Sequence, residues 1–241
     1  MNDLKFKVAL VTGGTKGIGY GIAESLLKRG VYVAITSRNE KSALEAATNL
    51  NNQNNDLVHC IGIEADVRDF KSQKKVVEAV VKEFGKLDIV IANAGLGHFN
   101  SIENITVEEW KETIDTNLTG AFYTLKASVD EIIKTKGYYI SISSLAGTNF
   151  FAGGAAYNAS KFGLTGFTQA VMLDLRKHGV KVSTIMPGSV STNFNGHLPN
   201  DSDAWKIQSE DIGEMVVDLL KMNPRTLPSK IEVRPSMPPT K

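Results

Sequence analysis

The sequence predicts an α/β protein: a single doubly wound domain over residues 1–241, its mostly parallel sheet of roughly seven strands flanked by helices on both faces. Three features predict it. Short runs rich in Val, Ile and Leu alternate with longer amphipathic stretches, the pattern of buried parallel strands joined by crossover helices. A glycine-rich turn separates the first apolar run from the first helix. Nearly every polar motif falls just after an apolar run, at a strand's carboxyl end, where ligands of such sheets sit.

The elements follow in order. Val8-Ala9-Leu10-Val11 is a strand, followed by the turn Thr12-Gly13-Gly14-Thr15-Lys16-Gly17-Ile18-Gly19 and a helix through about Arg29. A strand over 31–36 leads through Ser37-Arg38-Asn39 to a helix over 41–50. The Asn-rich stretch 51–55 is a loop too short to separate domains. Strand, helix and strand recur at 57–63, 70–84 and 88–92. Helices over 107–118 and 121–134 precede a strand at 138–142; a helix over 155–177 precedes a strand at 181–186. A helix over 211–220 and a strand at 231–233 complete the pattern, with right-handed crossovers throughout. Residues 193–206, with Asn195-Gly196, Pro199 and Asp201, read as a mobile loop, either a substrate lid or a solvated connection. The Pro-rich tail 235–241 cannot continue a strand and is expected to lie extended on the surface.

Composition narrows the class. A chain of 241 residues can bury one sizeable core, and 42% hydrophobic residues with a net charge of +1 describe a soluble globular protein. That balance excludes a strong electrostatic pull toward nucleic acid or an anionic membrane. The N-terminus lacks a signal-peptide pattern, and no apolar run approaches the ~20 residues of a membrane span. The lone Cys60 cannot form an intrachain disulfide and reads as a small buried strand residue, so a reducing, cytoplasmic location is expected. His59, His98, His178 and His197 lack ligand spacing, so no metal site is expected. Ser144 lies outside any G-x-S-x-G elbow, so nucleophilic serine catalysis has no support.

Tyr157 and Lys161 lie one helical turn apart and share a face. A cation beside a phenol favours the phenolate, and such a tyrosine can exchange a proton with a carbonyl or alcohol near neutral pH. The pair alone is common on surface helices. Its weight comes from Asn93-Ala94-Gly95, from Ser144 upstream and from the glycine turn, where close backbone approach and a helix N-terminus favour a pyrophosphate.

The spacing of Gly13, Gly17 and Gly19 differs from G-x-G-x-x-G and resembles the T-G-x-x-x-G-x-G turn of the short-chain dehydrogenase/reductase family. With Tyr157 and Lys161, that resemblance runs from Val8 to about Thr192. It implies a Rossmann-like domain that binds a nicotinamide dinucleotide along Gly13, Gly14, Thr15, Lys16, Gly17, Ile18 and Gly19. Where an NAD enzyme of this kind places an acidic residue, this chain has Ser37, followed by Arg38 and Asn39. Arg38 and Lys16, if not merely solvated charges, suit the 2′-phosphate of NADP(H). The resemblance puts Asp66 and Val67 beside the adenine, although Asp66 could also cap the helix after Asp69. It puts Asn93, Ala94 and Gly95 along the cofactor, with Pro187, Gly188, Val190 and Thr192 at the nicotinamide carboxamide. Tyr157 becomes the general acid, and Lys161 lowers its pKa and holds the ribose hydroxyls. Ser144, rather than its neighbour Ser143, binds the substrate oxygen, and Asn117 holds a water linking Lys161 to solvent.

Pocket candidates follow these motifs: Leu96, His98 and Phe99, then Asn149 and Phe150, then Phe194, each otherwise a packing residue. The chain also resembles bacterial 3-oxoacyl-acyl carrier protein reductases, NADPH-dependent homotetramers that dock an acidic carrier on basic residues. Their two docking positions fall on Thr135 and His178, beside Lys134, Lys136, Arg176 and Lys177, a partial match, and the Pro-rich end departs from their glycine-rich terminus. The expected activity is NADPH-dependent reduction of a ketone, on a small molecule or a carrier-linked 3-oxoacyl thioester. The alternatives are a reductase or dehydrogenase of another carbonyl or polyol, and a non-catalytic NADP-binding regulator. Homodimers or homotetramers are expected through the helices at 121–134 and 155–177.

Overall fold

The computed structural model describes residues 3–54 and 58–237. Seven strands form one parallel sheet in the order β3-β2-β1-β4-β5-β6-β7. They are β1 (Val8–Val11), β2 (Tyr32–Ser37), β3 (Cys60–Glu64), β4 (Ile89–Ala92), β5 (Tyr138–Ile142), β6 (Lys181–Pro187) and β7 (Lys230–Val233). The helices are α1 (Gly17–Leu27), α2 (Glu40–Asn52), α3 (Phe70–Phe84), α4 (Val107–Ile114), α5 (Gly120–Thr135), α6 (Ala155–Leu175) and α7 (Ser209–Lys221). The expected doubly wound architecture is therefore what the chain adopts.

Strand alternation divides the core. Ala9 and Val11 of β1 face a cluster with Ile22 and Leu26 of α1 and Ile212 and Val216 of α7. Val8 and Leu10 face the other way, onto Val76 and Val80 of α3, Leu125 and Ile132 of α5 and Leu164 of α6. Because both faces of the strand are buried, its sequence is a continuous apolar run instead of an alternating one.

Several boundaries differ from the sequence expectation, each for a local reason. The Asn-rich stretch is partly helical: α2 continues to Asn52. The Asn51 side chain accepts from the Cys60 N–H (2.7 Å) and donates to the Cys60 carbonyl (2.9 Å), clamping the helix end to β3. The helix expected over 107–118 ends as α4 at Ile114, and a π turn, Asp115–Thr119, carries the chain directly into α5. The last turn of the helix expected to reach 177 tightens to a 3₁₀ turn, Arg176–His178, which Gly179 closes in the left-handed conformation (φ 73°). The stretch 193–206 has an internal anchor: Asp203, 3% exposed, accepts from Ser191 Oγ (3.2 Å) and pairs with His197 and Lys206. These partners hold its carboxyl well below the usual carboxylate range. At the start of the tail Pro235 packs beside Gly188, and Met237 is 72% exposed. Position 57 of the third strand, Asn55 of the Asn-rich loop and 238–241 of the tail lie outside the described residues.

Gly62 shows how closely α2 rests on β3. A Cβ there would collide with the backbone carbonyl of Ala43, which has no room to give. Gly62→Ala is expected to lower stability by ~1–3 kcal/mol, as overpacking does. Urea unfolding measures this; an unchanged midpoint would contradict the packing described.

Candidate active site

The strand order reverses between β1 and β4, and the chain leaves these two strands in opposite directions. The crevice so formed is held by hydrogen bonds. Thr12 Oγ1 accepts from the N–H groups of Asn93 and Ala94 (3.1 Å each). Asn93 Nδ2 donates back to the carbonyls of Thr12 (2.9 Å) and Gly13 (3.0 Å). Asn93 and Ala94 thus fasten the glycine turn to the end of β4.

Gly13 and Gly17 adopt left-handed φ values of 63° and 56°, and a Cβ on Gly19 would sit 2.5 Å from Asn93 Nδ2. Behind this cradle α1 begins with no side-chain cap, whereas Asn39, Asp69 and Thr106 cap α2, α3 and α4. The first-turn N–H groups of α1 are left to face the turn, a donor set that suits an anionic pyrophosphate. Gly14 packs against Ile35, Ile18 joins the core, and Thr192 lies across from Gly17, 3.2 Å from where its Cβ would be. The residues present therefore fit a dinucleotide.

At the far end of the crevice, Ser37 Oγ accepts from Asn39 N–H (3.3 Å), and Asn39 caps α2 through Ser42 N–H (2.8 Å). Lys16 and Arg38 are exposed, with Arg38 3.6 Å from Glu112. Glu112 also meets Arg68 (3.4 Å) and His98 (3.0 Å). Asp66 is gripped by Arg68 (2.6 Å), which holds its carboxyl below the usual range. The helix cap after it is Asp69, which accepts from Lys71 N–H (2.9 Å). Val67 is buried against Gly120.

Ser144, Tyr157, Lys161 and Asn117 come together where β4 and β5 end. Tyr157 sits in the first turn of α6, half-buried, with Phe99 and Phe194 at ring-centre distances of 5.2 and 5.8 Å. Burial pushes its phenol up; a hydrogen bond from Ser144 opposes this. Lys161 is 5% exposed, and its Nζ donates to the Ile142 carbonyl (3.0 Å) and lies 5.7 Å from the Tyr157 ring centre. Burial lowers Lys161 from 10.5 to about 8. The lowered Tyr157 pKa expected from the sequence is thus not what this geometry produces: desolvation of the phenol outweighs its neighbours.

Ser143 points away from Tyr157, donating to the Lys161 carbonyl (3.2 Å) and meeting Thr165 Oγ1 (3.0 Å). Asn117 lies in the π turn, whose widened backbone carries a buried amide inward. Its Nδ2 donates to the Leu96 carbonyl (2.8 Å) and Ser160 Oγ (3.0 Å), and its Oδ1 accepts from Leu96 N–H (2.9 Å). A Cβ on Gly95 would sit tightly against Asn117 Oδ1, at 3.2 Å, and in ordinary contact with Lys161 Nζ, at 3.6 Å. The sequence reading missed Asn158, whose Nδ2 donates to the carbonyls of Ala146 (2.8 Å) and Asn149 (2.7 Å). That bond ties α6 to the segment bearing Ser144; the only signal was an amide inside the Tyr157–Lys161 turn.

A cavity of about 390 Å³ opens beside Ser144 and Tyr157, walled by Leu145, Asn149, Phe151, Gly188, Trp205 and Pro235 among others. Phe99 and Phe194, expected in the pocket, pack their rings against Tyr157 but do not wall this cavity. Phe150 does not line the cavity: it is 85% exposed, and Phe151 takes its place. His98 is drawn instead to Glu109 and Glu112 of α4. Pro187 ends β6, and Gly188 N–H donates to the Val233 carbonyl (2.8 Å). Val190 pairs with Ile207. Thr135 and His178, with Lys134, Lys136, Arg176 and Lys177, precede β5 and β6, so they sit at the amino ends of the strands, opposite Ser144. Among the described residues no cluster of His, Cys, Asp and Glu could hold a metal, and no helix is long and apolar enough to cross a membrane.

Comparison with known proteins adds four findings. A family model described as short chain dehydrogenase matches residues 7–203. The chain is 33% identical to an uncharacterized oxidoreductase of Staphylococcus saprophyticus, covering 98% of this chain and 100% of the relative. It is 35% identical to the 3-oxoacyl-acyl-carrier-protein reductase of Vibrio cholerae, over 83% of this chain and 80% of that protein. The fold is similar to an alcohol dehydrogenase from the archaeon Thermococcus sibiricus solved with 5-hydroxy-NADP, with a TM-score of 0.89 and 28% identity over 98% of this chain and 99% of that one.

Burial of Lys161 should be visible in stability. Its ammonium loses its proton at about 8 in the folded chain and near 10.5 when unfolded, so between those values the unfolded chain holds more protons and stability rises with pH. Below about 8 the folded chain bears the full cost, of order ~3 kcal/mol at ~1.4 kcal/mol per tenfold change in proton affinity. The raised Tyr157 acts oppositely, lowering stability only above its ordinary 10.0. Lys161→Met is therefore expected to be more stable than the parent in urea at about pH 7, with the gap closing toward about pH 9.5. Parallel curves would contradict the burial of a charge.

Proposed function

This chain belongs to the short-chain dehydrogenase family, and on that premise we propose that it reduces a ketone to a secondary alcohol with NADPH. One observation carries the reading: Ser144 and Tyr157 share the wall of one cavity, with the buried Lys161 ammonium 5.7 Å from the Tyr157 ring centre. The cofactor would lie on Gly13–Gly19, with Asn93, Ala94, Gly95, Thr192 and Lys161 along it, and supplies a hydride for the carbonyl carbon when bound. Every other part of the reaction falls to side chains. Tyr157, raised by burial, keeps its proton at neutral pH and is poised to give it to the substrate oxygen. Ser144 donates a hydrogen bond to the same oxygen as negative charge develops there. Lys161 is still an ammonium below about pH 8, and its charge favours the phenolate left behind. Asn117 and Ser160 brace the first turn of α6, Ser160 Oγ donating to the Tyr157 carbonyl (2.8 Å).

The absence of an acidic side chain at Ser37, together with Arg38 and Lys16, supports NADP(H) over NAD(H). The nucleotide's 2′-phosphate would draw Arg38 from Glu112, an exposed pair at 3.6 Å and so a weak competitor. A free small carbonyl compound is favoured over a carrier-linked one, because the basic residues around Thr135 and His178 stand at the far end of the sheet from Ser144. Phe122 on α5 and Phe162 on α6, each over 40% exposed, support a homodimer or homotetramer formed through these helices.

NADPH oxidation with a panel of ketones tests the reading. Tyr157→Phe should lower kcat by ~10² or more, the scale of a lost general acid, while NADPH still binds. An active Tyr157→Phe enzyme would overturn the role, and a wild-type chain that binds NADPH yet reduces no ketone would leave a non-catalytic binding protein. Arg38→Ser should raise KM for NADPH ~10-fold or more, the worth of a charge-assisted pair, and leave KM for NADH unchanged. An equal effect on both cofactors would refute the 2′-phosphate assignment.

A further inference from the structure

The cavity wall contains one permanently charged side chain, Arg234, and no Asp or Glu. Sheet register puts it there. Val233, the last residue of β7, pairs with Pro187 of β6, and Gly188 N–H donates to the Val233 carbonyl (2.8 Å). The next residue must therefore emerge at the carboxyl end of the sheet, level with Ser144 and Tyr157. Pro235 then packs beside Gly188 and fixes the direction of the chain. Besides Ser144, Tyr157 and Arg234, the wall has two polar residues, Asn149 and Ser189, and is otherwise apolar or glycine: Leu145, Ala146, Phe151, Gly188, Trp205 and Pro235.

Building on the proposed reductase reading, we propose that Arg234 binds a carboxylate carried by the substrate, so that the substrate is a keto acid with an apolar spacer between its carbonyl and its carboxylate. The guanidinium has five N–H donors in a fixed fork suited to a carboxylate. Among the described residues its one hydrogen-bonded partner is Glu232, which Nη2 meets at 3.0 Å, two residues back along the chain. That pair is exposed, 56% for Arg234 and 37% for Glu232, and exposed pairs contribute little. The remaining donors are open to a ligand in the cavity, where apolar walls strengthen a charge-assisted bond. Arg234 acts here on binding and selectivity; the proton transfer stays with Tyr157.

The test is a fluorescence titration of Trp205, which lines the cavity, in a Trp110→Phe background that removes the second of the chain's two tryptophans. Oxidised NADP is kept saturating so that no turnover occurs, and the ligands are 5-oxohexanoate and its methyl ester. The acid is expected to bind ~10-fold or more tighter than the ester, as loss of a hydrogen-bonded charge would predict. Arg234→Gln should abolish that preference and leave ester affinity within about twofold, which also shows that the cavity is intact. Arg234→Lys, keeping the charge without the fork, should retain part of it. Equal affinity for acid and ester, a preference that survives in Arg234→Gln, or no quenching by either ligand overturns the assignment. Turnover of a neutral ketone, such as cyclohexanone, separates the two claims. If it is reduced while acid and ester bind alike, the reductase reading stands and the role of Arg234 falls. If no ketone is reduced, the reductase reading falls, and the titration still decides whether Arg234 holds a carboxylate.

Discussion

The arrangement of the site depends on one interaction, an ammonium buried at 5% exposure with its hydrogen bond going to the last carbonyl of β5. A charge placed there is costly unless its surroundings are fixed. Several features that look unrelated along the chain supply that fixity. Ser143 Oγ, one residue past β5, donates to the Lys161 carbonyl and holds α6 there. Gly95 leaves out the Cβ that would press on Asn117 Oδ1. The π turn before α5 places Asn117 against Leu96 and Ser160, and Ser160 in turn holds the first turn of the helix that carries Tyr157. Asn158 joins that helix to the Ser144 segment. The phenol, the serine hydroxyl and the ammonium are thereby set at the carboxyl end of β5 and on α6, as preorganised electrostatics requires.

The other half of the crevice suits an anion without using a charge. Positive φ at Gly13 and Gly17, an uncapped α1 and the Thr12–Asn93 bonds produce a concave run of backbone donors. The cations lie at its outer end, where Glu112 stands between Arg38, Arg68 and His98. That single carboxylate links the position proposed for the nucleotide's 2′-phosphate to the segment after β4, so cofactor charge and the placement of His98 share a partner.

Much of this was readable in the sequence, and the reasons are specific. Parallel strands buried on both faces leave unbroken apolar runs such as Val8–Val11, so the sheet and its order of elements could be read. Gly13, Gly17, Tyr157 and Lys161 could be read because their spacing is local: one turn of backbone or helix brings them together. What escaped depends on contacts across the chain or on a single residue of phase. The π turn adds one residue to a turn without changing composition, so periodicity runs straight through it. Phe150 and Phe151 are chemically equal neighbours, and only backbone direction decides which enters the cavity. Trp205, Arg234 and Pro235 arrive from segments with no motif, positioned by β6–β7 register and by the Asp203 anchor. The Asn51 clamp resembled a polar loop because its partners are backbone atoms of β3.

The central claim is the buried, loosely protonated Lys161, and its titration is the most direct measure. Protein labelled at lysine ε-carbons, followed by heteronuclear NMR from about pH 6 to 11 and assigned with Lys161→Met, reports that ammonium separately from the surface lysines. The account predicts one resonance with a midpoint of about 8 that is missing in the variant. If every lysine, Lys161 included, titrates near its ordinary value of 10.5, the ammonium is not desolvated and the electrostatic basis of the site is wrong.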